Sequence, residues 1–385
     1  MNIASIRSAF PALSRIHNGH PVAYFDAPGG TQVPRSVAEA MTDYLFHHNA
    51  NTHWAYPTSE ETDAIIERAR ESAADFLGAR ADEISFGANM TTITFHLSRA
   101  LGRTWRAGDE VIVTELDHHA NVAPWRALEI DRGIVVRTAR MIRETCEVDI
   151  EHLASLAGPK TRLIAIGGAS NAVGTINDLA RVRQIAKSAG ALFFVDAVHL
   201  APHEAIDVRK IGCDFLAVSA YKFYGPHIGV LFARKDLAES LPFPKLEPSP
   251  DTSPERAETG TQNQEGIAGV TAAVEFVKAA GFQSHFTERL WSGLTSMKHV
   301  RVYGVPPSKP RTPTYGFTVS GMTSEEVARA LAEKALFVSH GDFYAATLVQ
   351  KLGVEGLVRV GCAAYTNDEE VERLLRAVDD LKAGR

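Results

Sequence analysis

An α/β protein is expected here: a large domain with a mainly parallel sheet sandwiched by helices, plus a smaller α+β C-terminal domain. Three features of the 385-residue chain predict it. Short apolar runs recur without polar alternation, the habit of strands buried on both faces. Helical patterns lie between several of them, as in a parallel sheet. The length also exceeds what one ordinary core organises, so two domains are expected, residues 20–263 and residues 264–385 with 1–19.

Composition narrows the functional classes. Apolar residues make up 45%, and the mean hydropathy of −0.09 fits a soluble globular enzyme. A net charge of −6 argues against nucleic acid or an anionic membrane as the main partner. No apolar run approaches a membrane span, and the N-terminal residues show no signal-peptide pattern. Cys146, Cys213 and Cys362 are odd in number and widely spaced. That fits a reducing, cytoplasmic setting with no disulfide frame and no metal-ligand spacing.

Along the chain, Tyr24–Pro34 (YFDAPGGTQVP) reads as a tight turn, and Asn49–Trp54 is polar with one aromatic. Thr58 and Glu61 read as a capping box for a helix with Ile65, Ile66, Ala69, Ala73, Phe76 and Leu77 on its apolar face, stopped by Gly78. The strand Ile84–Phe86 runs into GANMTT, which contains Met90 and Thr91 and opens a helix, a place where unpaired N–H groups hold anions. Further strands are Glu110–Leu116, Arg162–Gly167, Leu192–Val195 and Phe215–Val218, with a helix over Asp178–Ala189 stopped by Gly190. Gly266–Ala280 and Ser324–Glu333 read as helices, Thr314–Ser320 as a strand, and Asn367–Lys382 as an amphipathic helix capped by Thr366 or Asn367. Pro248–Pro254 reads as a flexible linker.

Each large-sheet strand ends in a chemically useful group, and such sheets bind ligands outside their carboxyl ends. These groups are the anion loop, His118, Asn171, Asp196 with His199, and Lys222 in SAYKFYGP. Partly desolvated among aromatics, Lys222 would have a lowered pKa and form an imine with an aldehyde. With an anion loop and a carboxylate, that describes a pyridoxal phosphate (PLP) site. Asp196 would keep the ring nitrogen protonated, and His118 would stack on the ring. Asn171 and His199 would bond the phenolic oxygen. Thr91, Ser219 and Tyr221 would hold phosphate oxygens, and Lys222 would then shuttle a proton.

The chain resembles class V aminotransferases of PLP fold type I, in particular the cysteine desulfurase and selenocysteine lyase group. The resemblance rests on YFDAPGG, NANTH, GANMTT, DHHANVAPW, SNAVGT, VDAVH, SAYKFYGP, ETGTQN and VRVGCAAYTNDEEV, in order and nearly end to end. It implies a homodimer in which Gly260 and Thr261 of one subunit close over the phosphate of the other. It also implies that Arg359 grips the substrate α-carboxylate, with Ala27, His53 and Tyr344 in the substrate site, and that Met90 lies in the cofactor site.

One departure bears on the reaction. Desulfurases of this kind carry a nucleophilic cysteine on a loop upstream of that arginine, whereas the matching stretch Val338–Ala346 has none and places Tyr344 there. The three cysteines read as structural. The expected reaction is therefore β-elimination by a C–S lyase, with Tyr344 or His118 as proton donor. Transamination stands second, epimerisation remains open, and a non-catalytic binding module with the same fold is the alternative of another class.

Overall fold

The computed structural model describes residues 1–282 and 286–381. Seven strands form the large sheet: β1 (Ile84–Gly87), β2 (Glu110–Thr114), β3 (Val135–Ala139), β4 (Thr161–Gly167), β5 (Leu192–Asp196), β6 (Phe215–Ser219) and β7 (Gly229–Ala233). Their spatial order is β1-β7-β6-β5-β4-β2-β3. All neighbouring pairs are parallel except those of β7, which runs against both β1 and β6. β3 was not among the expected strands. Its exposed, alternating residues mark a sheet edge and lack the continuous apolar signal.

Alternation along the central strands explains the layering. Ile164 and Ile166 of β4 face one core with Phe193 and Val195 of β5, whereas Leu163, Ala165 and Phe194 face the core on the other side. Both faces are thus covered, as the uninterrupted apolar runs require.

The helices that matter for the site are α1 (Arg35–Asp43), α2 (Pro57–Leu77), α3 (Met90–Gly102), α4 (Leu179–Ala189) and α5 (Gln264–Ala280). The capping box expected at Thr58 and Glu61 does not form. Proline at 57 starts α2 without needing an N–H, and Tyr56 caps it with backbone alone. Gly78 ends it in the left-handed conformation, as expected. α4 has the expected Gly190 stop, and Asp178, read as its first residue, caps it instead. α5 packs on α1 and α2, and its Ile267, Val270 and Val274 join the core beneath the large sheet, together with Ile6 and Phe10. The segment around Pro254 is bound to β1, since Ser85 Oγ donates to the Pro254 carbonyl at 2.9 Å.

Beyond α5 lies a four-stranded antiparallel sheet of β8 (Val300–Tyr303), β9 (Thr314–Val319), β10 (Ser339–Gly341) and β11 (Leu357–Gly361), ordered β8-β9-β11-β10. Helices α6 (Thr287–Ser296), α7 (Ser324–Glu333) and α8 (Asp368–Asp380) complete this layer around Phe317, Leu331, Val358 and Leu374. Asn367 caps α8 through a reciprocal capping box with Glu370. Lys382, the expected end of that helix, lies outside the described residues.

Candidate active site

The carboxyl ends of β2, β4, β5 and β6 and the N-terminus of α3 surround a cavity of about 590 Å³. It brings together Met90, Thr91, His118, Asn171, Asp196, His199, Ser219, Tyr221 and Lys222, nine residues separated by up to 132 positions in sequence. The convergence follows from topology, because parallel strands deliver their loops to one edge.

Lys222 follows β6 in a short turn. Its ammonium donates to the Pro28 carbonyl at 2.5 Å, so the Tyr24–Pro34 turn meets the site through backbone. Burial, and secondarily the charge of Arg359, bring its pKa down to about 7 against the pull of Asp196. A large share of the amine is therefore neutral and nucleophilic near neutral pH. Asp196 ends β5, accepts the Val198 N–H at 3.0 Å, and is pushed up to about 6 by burial.

His118 is neutral: burial, with Lys222 and Arg359 nearby, takes it down to about 4. Its Nδ1 accepts the Ala120 N–H at 3.0 Å, which assigns the ring proton to Nε2. His199 is buried and held well below the ordinary histidine value, with Nε2 on Thr312 Oγ1 at 3.2 Å. Asn171 donates its amide to the Phe343 carbonyl at 2.9 Å, while its Oδ1 is buried without a partner.

The expected anion loop opens α3. Asn89 caps the helix by accepting the Thr92 N–H, and the Met90 N–H is spent on Ser219 Oγ at 3.0 Å. The Thr91 N–H is left for a ligand. Tyr221 stacks on His227, with ring centroids 5.0 Å apart.

Arg359 is buried in the middle of β11, donating to the Asn171 carbonyl at 2.9 Å. Ala27 is buried in the turn beside Pro28. Tyr344 is 72% exposed, and its ring lies 5.5 Å from that of His118. Ala27, Tyr344 and Arg359 do not line this cavity, nor do His53, Gly260 and Thr261. The last three share a second concavity with the exposed Trp54 and Leu246.

Sequence reasoning missed two titratable residues of the cavity. Asp117 is buried there, accepting the Gly167 N–H at 2.6 Å and the Thr114 N–H at 3.0 Å. It bridges β2 and β4 where their ladder has ended, and its place beside His118 at a strand end was the available signal. His227, on the other side of Lys222 from β6, was signalled only by its place in the SAYKFYGPH run.

The residues present fit PLP: a depressed lysine and a carboxylate at strand ends, with an unspent helix N-terminal N–H. Fold and site together define a PLP-dependent enzyme of fold type I. The class V aminotransferase family matches residues 23–374, and the chain belongs to it. Within that family the protein is cysteine desulfurase-like. It is 31% identical to the cysteine desulfurase of Pectobacterium atrosepticum, with 98% of each chain covered. The apo cysteine desulfurase of Thermococcus onnurineus superposes with a TM-score of 0.93 at 29% identity, covering 100% of this chain and 99% of that one. A C-DES variant solved with glycine covalently linked to its PLP shares the fold, at 22% identity and a TM-score of 0.84, with coverage of 97% and 99%.

Proposed function

We propose that this protein is a C–S lyase that eliminates sulfur from the β-carbon of an amino acid without forming a protein persulfide. One observation carries the reading. Cys146, Cys213 and Cys362 are all buried outside the cavity, and burial raises each thiol's pKa, that of Cys146 to about 11. In this reading Tyr344 occupies the loop position at which the resemblance to desulfurases calls for a nucleophilic cysteine. A thiol that is neither ionised nor within reach cannot take sulfur from a substrate.

When bound, PLP supplies an electron sink for the pair left on the substrate α-carbon. In this reading Lys222 holds the cofactor and then, as a free amine, carries the α-proton. Asp196 holds the proton of the ring nitrogen. His118 would offer the ring a neutral aromatic surface, and Asn171 and His199 would hydrogen-bond the phenolic oxygen. Thr91, Ser219 and Tyr221, together with Met90, would hold the phosphate. Arg359 grips the α-carboxylate through its edge donors, with Ala27 walling the same end. The exposed Tyr344 hydroxyl serves as proton donor to the departing sulfur.

The second concavity supports a homodimer, because exposed Trp54 and Leu246 line it together with His53, Gly260 and Thr261. In such a dimer Gly260 and Thr261 close over the partner's phosphate, and His53 reaches the partner's substrate. Three unpaired cysteines support a cytoplasmic setting. Among the described residues no helix is long and apolar enough to cross a membrane.

The deciding assay offers the holoenzyme cysteine, S-substituted cysteines and alanine. Pyruvate and ammonia from the sulfur amino acids without an added keto acid are expected. Strict dependence on a keto acid would make it a transaminase, and loss of turnover after alkylation of a native thiol would restore the persulfide route.

A further inference from the structure

Arg359 poses an electrostatic problem that the rest of its strand does not. It is 4% exposed, and a buried charge ordinarily needs a carboxylate partner. Among the described residues no carboxylate lies within ion-pair distance of it, and buried Asp26 acts on its charge only from farther off. Its Nη1 bonds the Asn171 carbonyl, its Nη2 reaches Ser339 Oγ at 3.4 Å, and its Nε is buried without a partner. What meets the guanidinium face instead is the ring of Phe343, 4.1 Å from its central carbon.

That ring is held in place at a cost. Phe343 and Tyr344 are consecutive non-glycine residues in the left-handed region, with φ of 56° and 58°. Such strain persists only where the surroundings over-determine it. Here three bonds do so: Asn171 Nδ2 to the Phe343 carbonyl at 2.9 Å, the His119 N–H to the Tyr344 carbonyl at 2.7 Å, and the Tyr344 N–H to Asp342 Oδ1 at 2.9 Å. Asn171 therefore bonds Arg359 through its carbonyl and Phe343 through its side chain, closing a triangle around the guanidinium.

We propose that Phe343 is a positioning residue that takes the place of a counter-ion in direct contact, keeping Arg359 buried yet free to receive a carboxylate. The proposal rests on the reading of Arg359 as the carboxylate grip. An aromatic face attracts the cation without occupying its edge donors. An acidic side chain in the same place would saturate the charge and exclude an anionic ligand.

The test is a spectral titration of the PLP-loaded protein with L-alanine and with ethylamine, the same amine without its carboxylate. Phe343→Leu is expected to weaken L-alanine binding by about tenfold, the scale of a desolvated cation–π contact, and to leave ethylamine unchanged. Phe343→Tyr, which keeps the ring, should bind as the wild type does. Phe343→Met repeats the removal should the leucine variant be unstable. Unchanged alanine binding, or equal weakening of both ligands, would overturn the proposal by reducing the ring to a support for its loop. Arg359→Lys separates the two claims. If it leaves the alanine-to-ethylamine ratio intact, the carboxylate reading itself fails. If it collapses that ratio while Phe343→Leu does not, only the role of Phe343 fails.

Discussion

Lys222 carries the sharpest consequence of burial. Its folded pKa of about 7 lies below the ordinary 10.5, so between those values only the unfolded chain holds the proton. The destabilisation from burying this amine is therefore full at and below pH 7 and fades as pH rises toward 10.5. Cofactor-free Lys222→Met should be more stable than the cofactor-free wild type by a few kcal/mol at pH 7, with the gap closing by pH 10.5. Denaturant titrations across that range read it directly, and a pH-independent gap would contradict the depressed pKa. The cysteines offer a parallel check. Buried thiols with raised pKa values should not react with a thiol reagent at pH 8 in the native protein and should all react once it is unfolded. A fast-reacting native thiol would undermine the thiol-free mechanism.

Among the elements, α3 and β7 form the most exacting contact near the proposed phosphate site. A β-carbon added at Gly229 would lie 2.6 Å from the Asn89 carbonyl carbon and 2.8 Å from its Cα. Those are backbone atoms of the α3 cap, so Gly229→Ala must shift the helix start that presents Thr91. Overpacking of this kind costs about 1–3 kcal/mol. If most of it falls on the cofactor-bound geometry, PLP dissociation should rise about tenfold or more. Equilibrium dialysis measures this, and unchanged retention would show that α3 does not set the anion site.

Across the whole molecule, the arrangement of the second concavity makes the proposed dimer testable. Lys222→Ala removes the imine amine from its own subunit, and Thr261→Asp places a negative charge where the partner's phosphate is proposed to sit. Each variant alone should be inactive. Mixing the two under conditions that exchange subunits should restore part of the activity, because a hybrid dimer contains one site with neither defect. No recovery despite proven exchange would mean that each subunit completes its own site.

The sequence by itself determined the sheet, because its buried strands must be continuously apolar and its helices must stop where Gly78 and Gly190 turn left-handed. It also determined the cofactor chemistry, since nine of the expected residues sit at strand or helix ends that parallel topology gathers at one edge. Its errors were local: Pro57 displaced the capping box, and β3 hid because an edge strand needs no continuous apolar run. Only tertiary structure decided which polar atoms are already spent. The Met90 N–H goes to Ser219, the Asn171 amide to Phe343, and His199 Nε2 to Thr312, all partners more than a hundred positions away. The same holds for the cysteines, because burial depth, and with it the energy of a thiolate, arises only when the layers pack.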